Sequence, residues 1–519
     1  MRLSLRLALG LLVAACGSNG GGGGSGSAGS DGGIPPASDA GAPDAGSPDA
    51  GPAALGGGDW LQYRNSPLGG TSENPGIFAA GAAASVAPLW SIPADRFGVS
   101  GSYYYYSQPL IAGDTVYFAT AFGQAVGGKV VAVNAADGST RWASAFPGAI
   151  TVDSSCSSTP MQLGFWSAPA LAGGTLYVAA VDGKVYALDP SNGATLWSAQ
   201  VADPTPAGRG QFIVSSPAVS TALGKLYVGI ASAIYCSEVD GRVVSVDLRT
   251  HAVQAASFTD PGAHTGAVWT SVSIDEGASA IYASTGTGKQ LPILTPTSLS
   301  QAIVRLDAST LGVVAHWQNP CPLSDCDFGG SPTLFAAGGT NYLAATSKDG
   351  WLYVLNRDAL AAGPVWKYQL AIVDPSHATE GGDATNGWGT LSTPTFAGGT
   401  LYAAGGQTPD GQPGSVVAFD PATFDPATGT GAVKWRHVTP GYVLTAMPAV
   451  GEVLMVASST PSSGSNTSWL EILAQSTGDR LKIFDGAAPT YGAPSAGHGL
   501  IVWPFGDGEA RALAAPQYR

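Results

Sequence analysis

Along most of the chain apolar and polar residues alternate in runs of five or six, and Gly, Asn and Asp clusters separate the runs. Ser167 to Trp197 shows this most regularly. Leu176, Val178 and Ala180 alternate with Thr175, Tyr177 and Ala179, and Val185, Ala187 and Asp189 alternate with Lys184, Tyr186 and Leu188. A period of two predicts strands. Gly173–Gly174 and Ser191–Gly193 predict turns, Asp182–Gly183 predicts a type I′ hairpin, and Leu196–Trp197 opens a fourth strand. The stretch carries no candidate chemistry; the rest of the chain repeats it.

A strand start of the Ala168–Pro169 kind recurs at Gln108–Pro109, Ser216–Pro217, Thr270–Ser271, Ser331–Pro332, Thr393–Pro394, Met447–Pro448 and Ala493–Pro494, at spacings of about 46 to 62 residues. After most of these come a Leu-Tyr or Val-Tyr strand, a hairpin, and a strand ending in an acidic or amide residue (Asn134, Asp189, Asp247, Asp307, Asn356, Asp420). A tryptophan then opens the fourth strand: Trp142, Trp197, Trp317, Trp366, Trp435. Four-stranded units at this period predict an all-β protein, an eight-bladed β-propeller. The last unit lacks its fourth strand, and a strand of that type, Val86 to Trp90, stands alone at the other end. The N-terminal strand is therefore expected to complete the final blade. Seven blades is the alternative, if the unit near Trp269 or Met447 is not a blade. The tryptophans and tyrosines are expected to pack between blades.

Composition agrees. Only 11% of residues are charged, while glycine numbers 73 and proline 37. The chain carries a net charge of −14 and no basic cluster, which argues against nucleic acid as a partner. The predicted domains are a signal over residues 1–16, a tether over 17–58 and a propeller over 59–519. Residues 1–16, MRLSLRLALGLLVAAC, resemble a bacterial lipoprotein signal: Arg2 and Arg6 precede a short apolar run, and Val13-Ala14-Ala15-Cys16 resembles a lipobox. That resemblance implies lipidation at Cys16 and attachment to a membrane by acyl chains, placing a monomeric propeller in the cell envelope, periplasmic or at the outer-membrane surface. Gly17 to Gly58 is low-complexity sequence that cannot bury enough surface to fold, a tether of roughly 35 Å reach.

Four cysteines remain besides Cys16. In an oxidising compartment Cys321 and Cys326 are expected to pair, which leaves Cys156 with Cys236. Metal binding is the competing use. No CxxC, CxxCH or cysteine–histidine cluster occurs, and the six histidines have no metal-ligand spacing.

The repeat, with Gly-x-Leu-Tyr-Val, Asp-Gly, Ala-Leu-Asp and Gly-x-x-x-Trp, resembles the pyrroloquinoline quinone (PQQ) propeller repeat over about residues 59 to 513. Between Gly266 and Arg357 it looks like the quinoprotein alcohol and polyvinyl alcohol dehydrogenases. The resemblance implies that Trp269 in GAVWTS is the floor under a flat quinone. It makes Asp327 in DCDFGG the base on the substrate hydroxyl, Lys348 in SKDG a contact to quinone oxygens, and Trp388 in NGWG a further aromatic at the channel mouth. The implied cofactors are PQQ and Ca²⁺, and the implied substrate is an alcohol or polyol. Two departures stand against the calcium. Lys289 occupies the place where the family carries an asparagine ligand, and Glu238 is the only acidic residue near the expected glutamate position. The adjacent-cysteine disulfide of several family members is absent. A non-catalytic propeller that binds protein partners at the outer membrane uses the same repeat, so scaffold is the second functional class.

Overall fold

A computed structural model describes residues 58–66, 78–93, 96, 107–120, 128–146, 149–150, 161–162, 164–205, 207, 210–232, 240–257, 266–286, 299–323, 325–377, 386–425, 430–461, 467–486, 488–505 and 509–515. Eight antiparallel sheets follow one another along the chain. Each is a blade of four strands, named a to d from the inside outward. Blades 1 to 7 span residues 110–145, 170–200, 218–257, 273–318, 333–369, 395–438 and 449–486, and blade 8 takes strands a to c from 495–514. The expected strands of the 167–197 stretch form blade 2: Ala170–Ala172, Thr175–Ala179, Lys184–Leu188 and Thr195–Gln200. Blade 3 gains a short fifth strand, Gln211–Phe212, beside its strand b.

The ring closes as expected. Ala87–Ile92 pairs antiparallel with Ala510–Ala514, from Ala87 opposite Ala514 to Ile92 opposite Ala510, and supplies strand d of blade 8. Seven blades is thereby ruled out: Ser273–Asp275 begins a full blade after Trp269, and Ala449–Val450 begins another after Met447.

Two local expectations are corrected. The Asp182–Gly183 hairpin is not type I′, which needs positive φ at both central residues. Only Gly183 is left-handed (φ 79°), and the Gly183 amide donates to Ala180 O at 3.1 Å. The chain makes a type I turn with a glycine bulge. The alternation in strand b also fails to divide core from solvent. Leu176, Tyr177, Val178 and Ala179 are all buried, because a blade is covered on both faces by its neighbours.

The blades are stitched together near the axis by hydroxyls at the strand starts. Ser216, Ser271, Ser331 and Thr393 accept the backbone N–H of Ala168, Ser216, Ser271 and Ser331 respectively, at 2.9 to 3.1 Å, each from the blade before. Farther out, the strand-d tryptophans cross to the next blade as expected. The indole N–H of Trp90, Trp142 and Trp435 donates to Ala135 O, Pro190 O and Gln475 O at 2.8 to 2.9 Å. Trp366 stacks on Phe424, with ring centroids 4.6 Å apart. The residues ending strand c also have a local reason. Asn134, Asp189, Asp247, Asp307, Asn356 and Asp420 each accept the N–H two residues on, at 2.8 to 3.0 Å, which turns the chain into strand d.

Cys321 and Cys326 are disulfide-bonded. Cys16, Cys156, Cys236, Glu238, Lys289 and the whole 1–57 segment lie outside the described residues.

Candidate active site

Antiparallel strands place the d-to-a loops and the b–c turns on one face of the ring, and the a–b and c–d turns on the other. Trp269 and Asp327 lie in the d-to-a loops that enter blades 4 and 5, and Lys348 lies on the b–c turn of blade 5. All three are therefore on the same face.

Trp269 ends a segment gripped from both sides. Val268 N–H donates to Ile230 O of blade 3 at 3.0 Å, and Gly286 N–H of blade 4 donates to Ala267 O at 2.8 Å. The grip needs glycine at Gly229 and Gly241, where a Cβ would come within 2.4 Å of Val268 Cγ1 and 1.7 Å of Gly266 O. Asp327 is held by its neighbours. Phe328 is fully buried against Trp317 and Tyr353, and Lys348 N–H donates to Asp327 O at 2.9 Å. The disulfide begins the same segment, with Cys326 between Asp325 and Asp327 and its carbonyl accepting from Ser347 Oγ at 3.1 Å.

The b–c turn of blade 5 copies that of blade 2, with one change. In blade 2 Tyr186 OH donates to Asp182 at 2.6 Å, and in blade 5 Tyr353 OH donates to Asp349 at 2.7 Å. Asp349 is thus part of the repeat. Lys348 is the addition, standing where blade 2 has Val181.

The three side chains meet. Trp269 Nε1 donates to Asp327 Oδ2 at 3.0 Å, Lys348 Nζ lies 3.7 Å from the same oxygen, and Nζ sits 5.8 Å from the Trp269 ring centroid. Asp327 and Lys348 are buried, and Trp269 is half-buried. Gly286 makes room for the carboxylate: a Cβ there would stand 2.6 Å from Asp327 Oδ2. Trp388 is half-buried in the loop that enters blade 6. Among the described residues it makes none of the bonds that unite the other three.

One member was missed from sequence. Lys348 Nζ pairs most closely with Asp325, at 2.8 and 3.0 Å to its two oxygens. Burial, and then the negative charge of Asp327, push the Asp325 carboxyl up to about 6 although Lys348 opposes them. The signal was available: Asp325 and Asp327 are two apart in a segment whose conformation had been expected to matter. Cys321, Cys326 and Asp349 also lie together. The sulfurs are bonded to each other, and Asp349 is saturated by Tyr353, Asn319 and Trp351, so this group is structural.

Comparison with known proteins agrees with the fold. The family described as outer membrane protein assembly factor BamB matches residues 79–295. The europium-containing methanol dehydrogenase superposes with a TM-score of 0.66 and 15% identity, over 88% of this chain and 98% of that chain. The quinohemoprotein alcohol dehydrogenase of Comamonas testosteroni superposes with a TM-score of 0.63 and 17% identity, over 88% and 80%. The quinohemoprotein alcohol dehydrogenase ADHIIG of Pseudomonas putida HK5 gives 0.66 and 15%, over 88% and 80%. No curated protein matches the chain in sequence. The chain is an eight-bladed β-propeller, the architecture of the quinoprotein alcohol dehydrogenases on which it superposes. Identities this low carry the fold and not the activity. Among the described residues no helix is long and apolar enough to cross a membrane.

Proposed function

We propose that the chain is a PQQ-dependent dehydrogenase that oxidises an alcohol or polyol at the cell envelope, lipid-anchored through Cys16. The observation that carries this reading is the convergence of Trp269, Asp327 and Lys348, which come from two blades and three separate chain segments. The residues suit a flat, oxygen-rich anion: a half-buried indole offers a stacking face, an ammonium offers donors, and a carboxylate stands at the indole's edge. A quinone held there would supply the two-electron acceptor for the alcohol's hydride.

The remaining chemistry belongs to the chain. Asp327 takes the hydroxyl proton onto a carboxylate oxygen, so that proton and hydride together account for the conversion of alcohol to carbonyl. Trp269 N–H aims Asp327 by holding Oδ2, and Lys348 Nζ stands 3.7 Å from the same oxygen. Asp325 holds Lys348 and takes up most of its charge. A polyanionic cofactor therefore needs further positive charge, which Ca²⁺ would bring.

A second reading, a non-catalytic scaffold for protein contacts, is favoured by the same bonds: Asp327 and Lys348 are already satisfied by each other and by Trp269 and Asp325. The family match over residues 79–295 also supports it. Titration with PQQ, with and without Ca²⁺, followed by quinone absorbance and dye reduction with alcohols, separates the two. Micromolar binding with turnover is expected, and Asp327→Asn should lower turnover by about 10²- to 10⁴-fold while sparing binding. Absence of binding under both conditions removes the enzyme reading in favour of the scaffold.

A further inference from the structure

The segment Gly58–Ser66 lies inside the ring. Trp60 exchanges two backbone hydrogen bonds with Ile111 on strand a of blade 1, at 2.7 and 3.0 Å. Leu61 O accepts Leu171 N–H of blade 2 at 2.7 Å. The Gln62 amide closes on Val219 of blade 3, donating to its carbonyl at 3.2 Å and accepting its N–H at 3.0 Å. Tyr63 OH meets Thr393 Oγ1 at the start of blade 6, at 3.3 Å. The Arg64 guanidinium donates to Ser273 Oγ of blade 4 at 3.1 Å, and to Pro332 O and Thr333 Oγ1 of blade 5 at 3.2 Å each. Asp59 bonds His498 Nε2 of blade 8 at 2.7 Å. Nine consecutive residues thus reach blades 1, 2, 3, 4, 5, 6 and 8.

The direction of entry is also defined. Asp59 accepts Gly113 N–H at the a–b turn of blade 1 at 2.7 Å, and a Cβ on Gly497, at the a–b turn of blade 8, would stand 2.2 Å from Gly58 O. The chain therefore enters on the a–b turn face, opposite the face that carries Trp269, Asp327 and Lys348.

Innermost strands leave backbone groups facing the channel, and these need partners. The segment supplies them with side chains chosen for reach. Arg64 shows the cost. It is buried on neutral acceptors, with no carboxylate bonded to it among the described residues, and burial lowers its basicity to about 10, so it remains charged near neutral pH.

We propose that Gly58–Ser66 is an axial plug that fastens the ring from within and closes the channel beneath the carboxylate–lysine cluster. A pocket at that cluster is then blind-ended, and attachment through the N-terminus lies on the side away from it. Hydrogen exchange on the full chain tests this. The amides of Trp60 and Arg64, and those of Ile111, Leu171 and Val219 that bond to Trp60, Leu61 and Gln62, are expected to exchange roughly 10³-fold or more slower than unprotected amides. Exchange of the Trp60 and Arg64 amides at the unprotected rate overturns the plug. Arg64→Met should lower the thermal midpoint by several degrees and speed exchange at Leu171 and Val219, which it does not touch. An unchanged midpoint with unchanged exchange there overturns the fastening role. If that variant does not fold, exchange in the unmodified chain still decides.

Discussion

Asp325 carries the residue-scale argument. Its carboxyl is raised to about 6 by burial and by Asp327, against an ordinary value near 3.8. Between those two values the folded chain holds a proton that the unfolded chain has lost, so stability falls as pH rises through that window. One such group contributes a slope approaching ~1.4 kcal/mol per pH unit. Asp325→Asn should flatten this part of the stability profile, as measured by denaturant unfolding from pH 4 to 6.5, and should leave the slope below pH 4 unchanged. An unaltered profile means that Asp325 titrates normally. The variant also separates Lys348 from its closest carboxylate.

Among the elements, the turn between strands c and d explains the Gly-x-x-x-Trp pattern. Gly138, Gly193 and Gly478 have φ of 66°, 74° and 77°, and each lies under the tryptophan of the preceding blade. At Gly193 a Cβ would stand 2.5 Å from the Trp142 ring and 2.3 Å from Ser144 Oγ. Gly193→Ala must therefore strain the backbone and displace Trp142. A loss of about 1 to 3 kcal/mol is expected in denaturant unfolding, with larger loss if Trp142 cannot move. Blades 3 and 4 do without glycine here: His251 and Leu311 take φ of 61° and 57°, and Trp197 lies flat on His251 with ring centroids 4.2 Å apart. At His251 a side chain is tolerated because Trp197 stacks on it, and at Leu311 strand d of the preceding blade, Val253–Ser257, carries no tryptophan.

For the whole molecule, closure joins the two ends of the described chain. Strand d of blade 8 comes from Ala87–Ile92, and strands a to c come from residues 495–514. The plug adds a second link from residues 58–66 to most of the ring. A blade cannot bury its faces alone, so opening the ring exposes surface on both sides of the break. Truncation after Phe505 removes the partner of Ala87–Ile92. It should lower the thermal midpoint and broaden the transition of the entire chain, read by circular dichroism. A loss confined to one-eighth of the signal, with the remaining transition unmoved, contradicts ring-wide coupling.

The amino-acid pattern alone determined the strands, the eight units, the closing strand and the packing role of the tryptophans, because each depends on a short-range period or on a spacing that repeats. Trp269, Asp327 and Lys348 were marked by the resemblance of residues 266–357 to the quinoprotein dehydrogenases, in a stretch that departs from the bare repeat. What the sequence could not show was which hydrogen bonds those residues make. Asp325 is as polar as Asp327 in sequence, and only the reach of Lys348 separates the two. The Asp-Gly hairpin was mistyped because two turns share that dipeptide and differ only in φ at Asp182. The plug was invisible for a deeper reason. Trp60, Gln62 and Arg64 follow no period, and their partners lie 51, 157 and 209 to 269 residues away. Those partners become neighbours only when the ring brings its inner strands together around one axis.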